Sequence, residues 1–156
     1  MATTDLSGLL PEPVSQVLRK GAVIPAHPLA LNAQRQIDPR RQRALSRYYL
    51  DAGSGGLAVG VHTTQFAIRE NGMYAPVLEM AMQTAQDWIP LGGQRPLVMI
   101  AGVAGPTSQA CAEAATAKAM GYHAGLLSLA ALRGASETDI LSHCRGVAQV
   151  IPLVGF

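Results

Sequence analysis

Short apolar runs bounded by glycine or proline alternate along the chain with longer segments in which apolar residues recur every three or four positions. The short runs predict strands and the longer segments predict amphipathic helices. The predicted strands are 21–26, 57–61, 97–102, 124–129 and 152–156. Because strands joined by helices of about 10–15 residues form βαβ units, the pattern predicts an α/β protein with a parallel sheet.

Helix signals lie before the first of these strands and between the others. The predicted helices are Glu12–Lys20, a segment after Asp38 and Pro39, a stripe from Tyr74 to Trp88, a segment capped by Thr107 that runs to about Met120, and a segment opened by the Ser136/Asp139 capping box. This order predicts two parts: an N-terminal helical segment, 1–20, and a unit of about four and a half βα repeats, 21–156.

Two arrangements of the sheet fit this periodicity. The strands can follow one another in the order 1-2-3-4-5, as in half of a (β/α)₈ barrel, or form a doubly wound, flavodoxin-like sheet in the order 2-1-3-4-5. A glycine-rich phosphate loop would favour the doubly wound sheet. However, His27 and Pro28 follow the first strand, and the Gly53–Gly56 cluster precedes a strand instead of following one.

Composition excludes some classes of function. Charged residues make up 14%, aromatic residues 4%, and the net charge is +2, so neither nucleic acid nor a membrane is an expected partner. Arg40, Arg41 and Arg43 form a basic cluster that suits a phosphate or partner patch, or a solvated helix face. No membrane span or signal peptide is apparent, and Cys111 and Cys144 lack CxxC spacing, which predicts a cytoplasmic protein with two buried thiols.

Several segments resemble one enzyme family in order and spacing. They are Gly21–Leu31, Gly56–Thr64 with its Thr-Thr pair, Ile100–Gly105 and the strand 124–129. Together they resemble the dihydrodipicolinate synthase and N-acetylneuraminate lyase family over about residues 20–156. The resemblance implies the N-terminal half of a (β/α)₈ TIM barrel with strands in the order 1-2-3-4-5.

The resemblance also implies a function. Members of that family are class I aldolases or lyases that act on a 2-keto acid such as pyruvate through a Schiff base, without a cofactor, and they are oligomeric. Thr63 and Thr64 match the residues that bind the substrate carboxylate. The Schiff-base lysine lies on the sixth strand, and neither Lys20 nor Lys118 matches it, so we expect it beyond Phe156 and expect the 156-residue chain alone to be inactive. The alternative is a non-catalytic half-barrel that binds a small carboxylate or serves as an oligomerising scaffold.

The chain departs from the family pattern near the expected site. His27 and His62 replace a threonine and a glycine, Gln65-Phe66 replaces Gly-Glu, and 129–132 lacks the tyrosines of the family's proton relay. The two histidines are candidates for a general acid and base or for metal ligands, and otherwise for hydrogen-bonded rim residues. No third ligand accompanies them, so no metal site is predicted. We expect Thr63, Thr64, His27 and the Gly102–Gly105 turn to share one rim.

Overall fold

The computed structural model describes residues 8–89 and 95–155. The alternation seen in the sequence is confirmed. The helices are α1 Glu12–Lys20, α2 Pro39–Asp51, α3 Tyr74–Trp88, α4 Thr107–Ala119 and α5 Glu137–Ala148, and the strands are β1 Gly56–Val59, β2 Val98–Val103, β3 Ala124–Leu127 and β4 Leu153–Val154. Within the described ranges, none of these helices has the length and apolar composition needed to cross a membrane.

The strands form one parallel sheet in the order β1-β2-β3-β4. The first predicted strand lies beside β1, because Ala26 bridges Ala58 and the backbone N–H of His27 donates to the Ala58 carbonyl at 2.8 Å. The order 1-2-3-4-5 is therefore confirmed, and the flavodoxin-like order is wrong. The first strand is shorter than predicted, since Pro25 and Pro28 have no N–H to donate to a ladder.

Two of the three predicted helix caps are confirmed. The Asp38 side chain accepts a hydrogen bond from the Arg41 N–H at 3.0 Å, and the Ser136 hydroxyl accepts one from the Asp139 N–H at 3.2 Å. The prediction for Thr107 is wrong, because Thr107 is already helical. Its hydroxyl instead pairs with Nδ1 of a histidine on α5 at 2.9 Å, which ties α4 to α5.

Side chains pack on both faces of the sheet. Side chains alternate along a strand, so Leu57 and Val59 pack into the large core beneath α2–α5, while Ala58 points to the opposite face. On that opposite face Val14 of α1 packs against Ala58 and its strand neighbours. The prediction of buried thiols is only partly met, because Cys111 on α4 and Cys144 on α5 are half-buried free cysteines.

Candidate active-site rim

The turn that follows β1 carries both predicted threonines. It is a short 3₁₀ helix, His62–Thr64, and its last residue is buried. The Thr64 hydroxyl accepts a hydrogen bond from the Gly60 N–H at 3.0 Å and donates one to the His27 carbonyl at 2.6 Å. Thr64 therefore fixes the turn against the end of the first predicted strand.

Thr63 and His62 face outward from the same turn, and both are exposed. Within the described ranges, the backbone N–H groups of His62 and Thr63 donate no hydrogen bond, and the Thr63 side chain makes none. Both residues border a pocket of about 140 Å³, here called the rim pocket, whose lining is Ala26, Val61, His62, Thr63, Phe66, Leu126 and Ser128. The turn thus presents a hydroxyl and two N–H groups at the carboxyl ends of the strands, where barrel active sites lie.

His27 lies at the same rim but points away from the pocket. Side chains alternate along an extended segment, so Ala26 lines the rim pocket while the His27 imidazole packs edge-on against Tyr49 of α2, with ring centroids 5.9 Å apart. The imidazole is fully buried. The structure therefore does not bring the imidazoles of His27 and His62 together as a catalytic pair or as two metal ligands.

Both ring nitrogens of His27 have hydrogen-bond partners. Nδ1 lies 2.8 Å from the Pro28 carbonyl oxygen and Nε2 lies 2.8 Å from the Ser46 hydroxyl. Burial lowers the pKa of His27, and the hydrogen bond to Pro28 opposes this more weakly. Nδ1 also lies 3.0 Å from the side-chain amide nitrogen of Gln42, so this ring nitrogen contacts both a carbonyl oxygen and an amide N–H group. Gln42 completes the cluster by donating to the same carbonyl at 3.0 Å.

A buried ion pair joins the rim to α4. The guanidinium of Arg69 donates from Nε and Nη2 to the carboxylate of Glu113 at 2.9 Å each, and the two side chains are 10% and 9% exposed. Arg69 also donates to the carbonyl oxygens of Gly60 at 3.2 Å and Gly102 at 3.0 Å. The Tyr74 hydroxyl donates to the Gly102 oxygen at 2.8 Å. Arg69 thus connects the carboxyl ends of β1 and β2.

The strand ends approach each other closely at this point. A Cβ atom on Gly102 would lie 2.2 Å from the Gly60 carbonyl oxygen, so only glycine fits there. Glu113 extends the network into the next loop, because it accepts hydrogen bonds from the Ala104 N–H at 3.0 Å and from Gln109 at 2.8 Å. The predicted Gly102–Gly105 turn is therefore held at the same rim as Thr64 and His27.

The sequence analysis missed this ion pair, although one signal for it was present. Glu113 occupies the buried stripe of α4, between Ala110 and Ala117. A carboxylate in such a stripe is rarely left without a cationic partner. The stripe identifies Glu113 as a paired residue, but it does not identify Arg69, which lies 44 positions away.

The lysines lie away from this rim. Lys20 ends α1 and Lys118 lies in the last turn of α4, shortly before β3 begins, and both are exposed. These helix ends face the amino ends of the strands, opposite to the rim. In the part of the chain that the structure describes, no three His, Cys, Asp or Glu side chains cluster as metal ligands would.

We expect the stability of the chain to fall as the pH drops below about 6.5, the ordinary pKa of histidine. Because folding lowers the pKa of His27, the unfolded chain binds more protons between that lowered pKa and about 6.5. Burial lowers the pKa of His123 in the same direction. Urea unfolding at pH 7.5 and 5.5 should show the loss, at about 1.4 kcal/mol for each unit of pKa lowering.

His27→Gln should reduce the pH dependence. Ser46→Ala is the matched control, because it removes the Nε2 partner but keeps the imidazole, so it should lower stability at both pH values and retain the slope. If stability depended on pH as steeply in His27→Gln as in the unaltered chain, the pH dependence could not be attributed to His27.

Breaking the buried ion pair should be costly. Arg69→Met leaves the Glu113 carboxylate buried without its partner, and we expect a loss of about 3–5 kcal/mol in the free energy of unfolding, measured by urea titration. The control is Arg41→Met, whose pair with Asp38 is exposed and should contribute little. The double variant Arg69→Met/Glu113→Leu should lose less than the two single variants combined. Equal losses in Arg69→Met and Arg41→Met would refute the role given to the ion pair.

Comparison with known proteins shows where this fold occurs. No protein-family model matches the sequence, and no curated protein matches it significantly. Among solved structures, the chain is similar to dihydrodipicolinate synthase from Agrobacterium tumefaciens, with 20% sequence identity and a TM-score of 0.73 over 88% of this chain and 45% of that one. It is similar to dihydrodipicolinate synthase from Bacillus clausii, with 15% identity and a TM-score of 0.71 over 85% of this chain and 44% of that one. It is also similar to sialic acid aldolase from Ruminococcus gnavus, with 21% identity and a TM-score of 0.68 over 85% of this chain and 43% of that one. The chain spans less than half the length of these proteins. It has the α/β fold of the N-terminal half of their TIM barrel, as the resemblance in the sequence implied.

Proposed function

We propose that this chain carries the carboxylate-binding half of a class I aldolase or lyase that acts on a 2-keto acid such as pyruvate through a Schiff base. The turn at Thr63 supports the proposal most directly. The Thr63 hydroxyl and the N–H groups of His62 and Thr63 have no hydrogen-bond partner within the described ranges, and both residues line the rim pocket. A carboxylate has two oxygens and accepts several hydrogen bonds, which suits these donors.

The two threonines take different parts in this proposal. Thr63 binds the carboxylate directly. Thr64 holds the turn, because its hydroxyl is already engaged by Gly60 and His27. His62 remains the candidate acid or base, since it is exposed at the mouth of the pocket, and His27 supports the turn from behind.

The Schiff-base step needs an amine that this half does not offer at the rim. In that step the amine attacks the keto carbon, the carbonyl oxygen leaves as water, and the resulting imine acidifies the neighbouring carbon. Lys20 and Lys118 lie at the opposite ends of the strands. The proposal therefore places the nucleophile outside residues 1–156, and the complete enzyme in the cytoplasm, where the free thiols stay reduced.

We expect the chain to bind pyruvate without being trapped by it. Thr63→Val removes the hydroxyl at nearly constant volume and should weaken pyruvate binding about tenfold, as expected for a hydrogen bond to a charged group. Thr116→Val on α4 is the matched control and should leave the dissociation constant unchanged. Titration calorimetry measures both.

Borohydride reduction in the presence of pyruvate, followed by intact mass measurement, tests the Schiff-base part. We expect no adduct on this chain and an adduct on a longer chain that includes a sixth strand. An adduct mapped to Lys20 or Lys118 would contradict the proposed division of the site.

A non-catalytic scaffold is the second candidate, and an apolar pocket of about 440 Å³ favours it. The pocket lies at the outer edge of β4 and is lined by Leu127, Leu129, Cys144, Leu153, Val154 and Gly155. Exposed apolar surface of this kind promotes association.

Sedimentation velocity tests the scaffold role. If the scaffold role is correct, the chain should form a dimer that Leu153→Lys dissociates and that pyruvate leaves unchanged. Arg40→Glu, on the exposed side of α2, serves as a control for altered charge. A monomer that binds pyruvate would refute the scaffold role.

A further inference from the structure

Phe66 is held at the mouth of the rim pocket from three sides. Gln65 before it has a φ of 72°, a backbone conformation that favours glycine, and this turns the chain so that Phe66 reaches the pocket. The Arg69 guanidinium lies 5.4 Å from the centre of the ring, and the His62 ring meets it edge-on at 5.8 Å. Phe66 nevertheless remains 37% exposed. A fixed and exposed aromatic ring at a pocket mouth is suited to contact a ligand.

The walls of the pocket are mostly apolar. Ala26, Val61, Phe66 and Leu126 form them, and the polar lining residues are His62, Thr63 and Ser128. Among the described residues that line it, none is Lys, Arg, Asp or Glu. A polyhydroxylated acid or a second carboxylate needs several polar partners, and these walls do not provide them.

The part of the pocket that this chain forms has room for a small ring. It holds about 140 Å³, and a cavity of roughly 150 Å³ accommodates a benzene ring. The unengaged donors of the Thr63 turn lie at its edge. A ligand that fits both the donors of the Thr63 turn and the apolar walls has a carboxylate at the turn and an apolar group of about phenyl size against Phe66.

We infer that the rim pocket selects a 2-keto acid with a phenyl-sized apolar arm, and that Phe66 is the specificity-determining residue. This inference rests on the proposed function, since it takes the carboxylate to be bound by the Thr63 turn. The arm packs against Phe66 and Leu126, and the Arg69 guanidinium lies over the Phe66 ring.

The test compares three acids by titration calorimetry on the full 156-residue chain: pyruvate, phenylpyruvate and sialic acid. Phenylpyruvate should bind about tenfold more tightly than pyruvate, because part of its ring leaves water, and sialic acid should bind most weakly. Phe66→Ala should remove most of this preference, so that phenylpyruvate binds within about twofold of pyruvate. Tyr48→Ala, which removes an exposed aromatic ring from α2, should leave the preference intact.

A second variant keeps the test informative if Phe66→Ala unfolds. Phe66→Glu places a charge at the same exposed position and should make phenylpyruvate the weaker of the two keto acids, because the carboxylate repels the aromatic face and needs water. Thermal melts followed by circular dichroism report whether each variant is folded.

The outcomes separate the two proposals. Equal affinity for pyruvate and phenylpyruvate, a preference untouched by either Phe66 variant, or tighter binding of sialic acid would overturn the specificity inference. Pyruvate binding that depends on Thr63 would then leave the proposed function standing. Phenylpyruvate binding that depends on Phe66 but not on Thr63 would instead overturn the carboxylate site. No binding of any keto acid would overturn both.

Discussion

A parallel sheet leaves carbonyl oxygens at the carboxyl ends of its strands without ladder partners, and in this chain Arg69 satisfies two of them. Its guanidinium donates to Gly60 after β1 and to Gly102 in β2, and the carboxylate of Glu113 balances its charge. Arginine suits this task because its planar group donates in several fixed directions at once. Glu113 also accepts from Ala104, so one buried ion pair fixes two strand ends and the loop before α4. The candidate site is built on this fixed edge.

The helices could be predicted from sequence because they depend on local signals, whereas the periodicity left two strand orders open and only the family resemblance implied the order 1-2-3-4-5. The spacing of apolar residues predicted both ends of α3, Pro13 marked the first turn of α1, and the side chains of Asp38 and Ser136 marked helix starts. Strand ends were less accurate because they depend on backbone geometry. The second predicted strand stops at Val59, since Gly60 adopts a φ of 76° and begins the turn.

For the candidate site, the sequence predicted only the positions of its residues along the chain. The sequence placed Thr63, Thr64 and His27 after their strands, but it did not show which way each side chain points. In a 3₁₀ turn successive side chains are about 120° apart, so one threonine faces the pocket and the next is buried. The Arg69–Glu113 pair depends on residues brought together by the fold, and no local pattern specifies such a pairing.

The turn at Gln65 shows how the rim keeps its shape. A residue with a side chain at a φ of 72° is strained, by an amount on the order of 1–3 kcal/mol, and it persists where neighbouring contacts determine the backbone. Here Thr64 anchors the turn on one side of Gln65 and Arg69 holds Phe66 on the other. The donors at Thr63 and the ring of Phe66 are therefore fixed before any ligand arrives, which lowers the entropic cost of binding. Thr63 and Phe66 belong to one turn, so the contacts that position both parts of the proposed site lie within this chain.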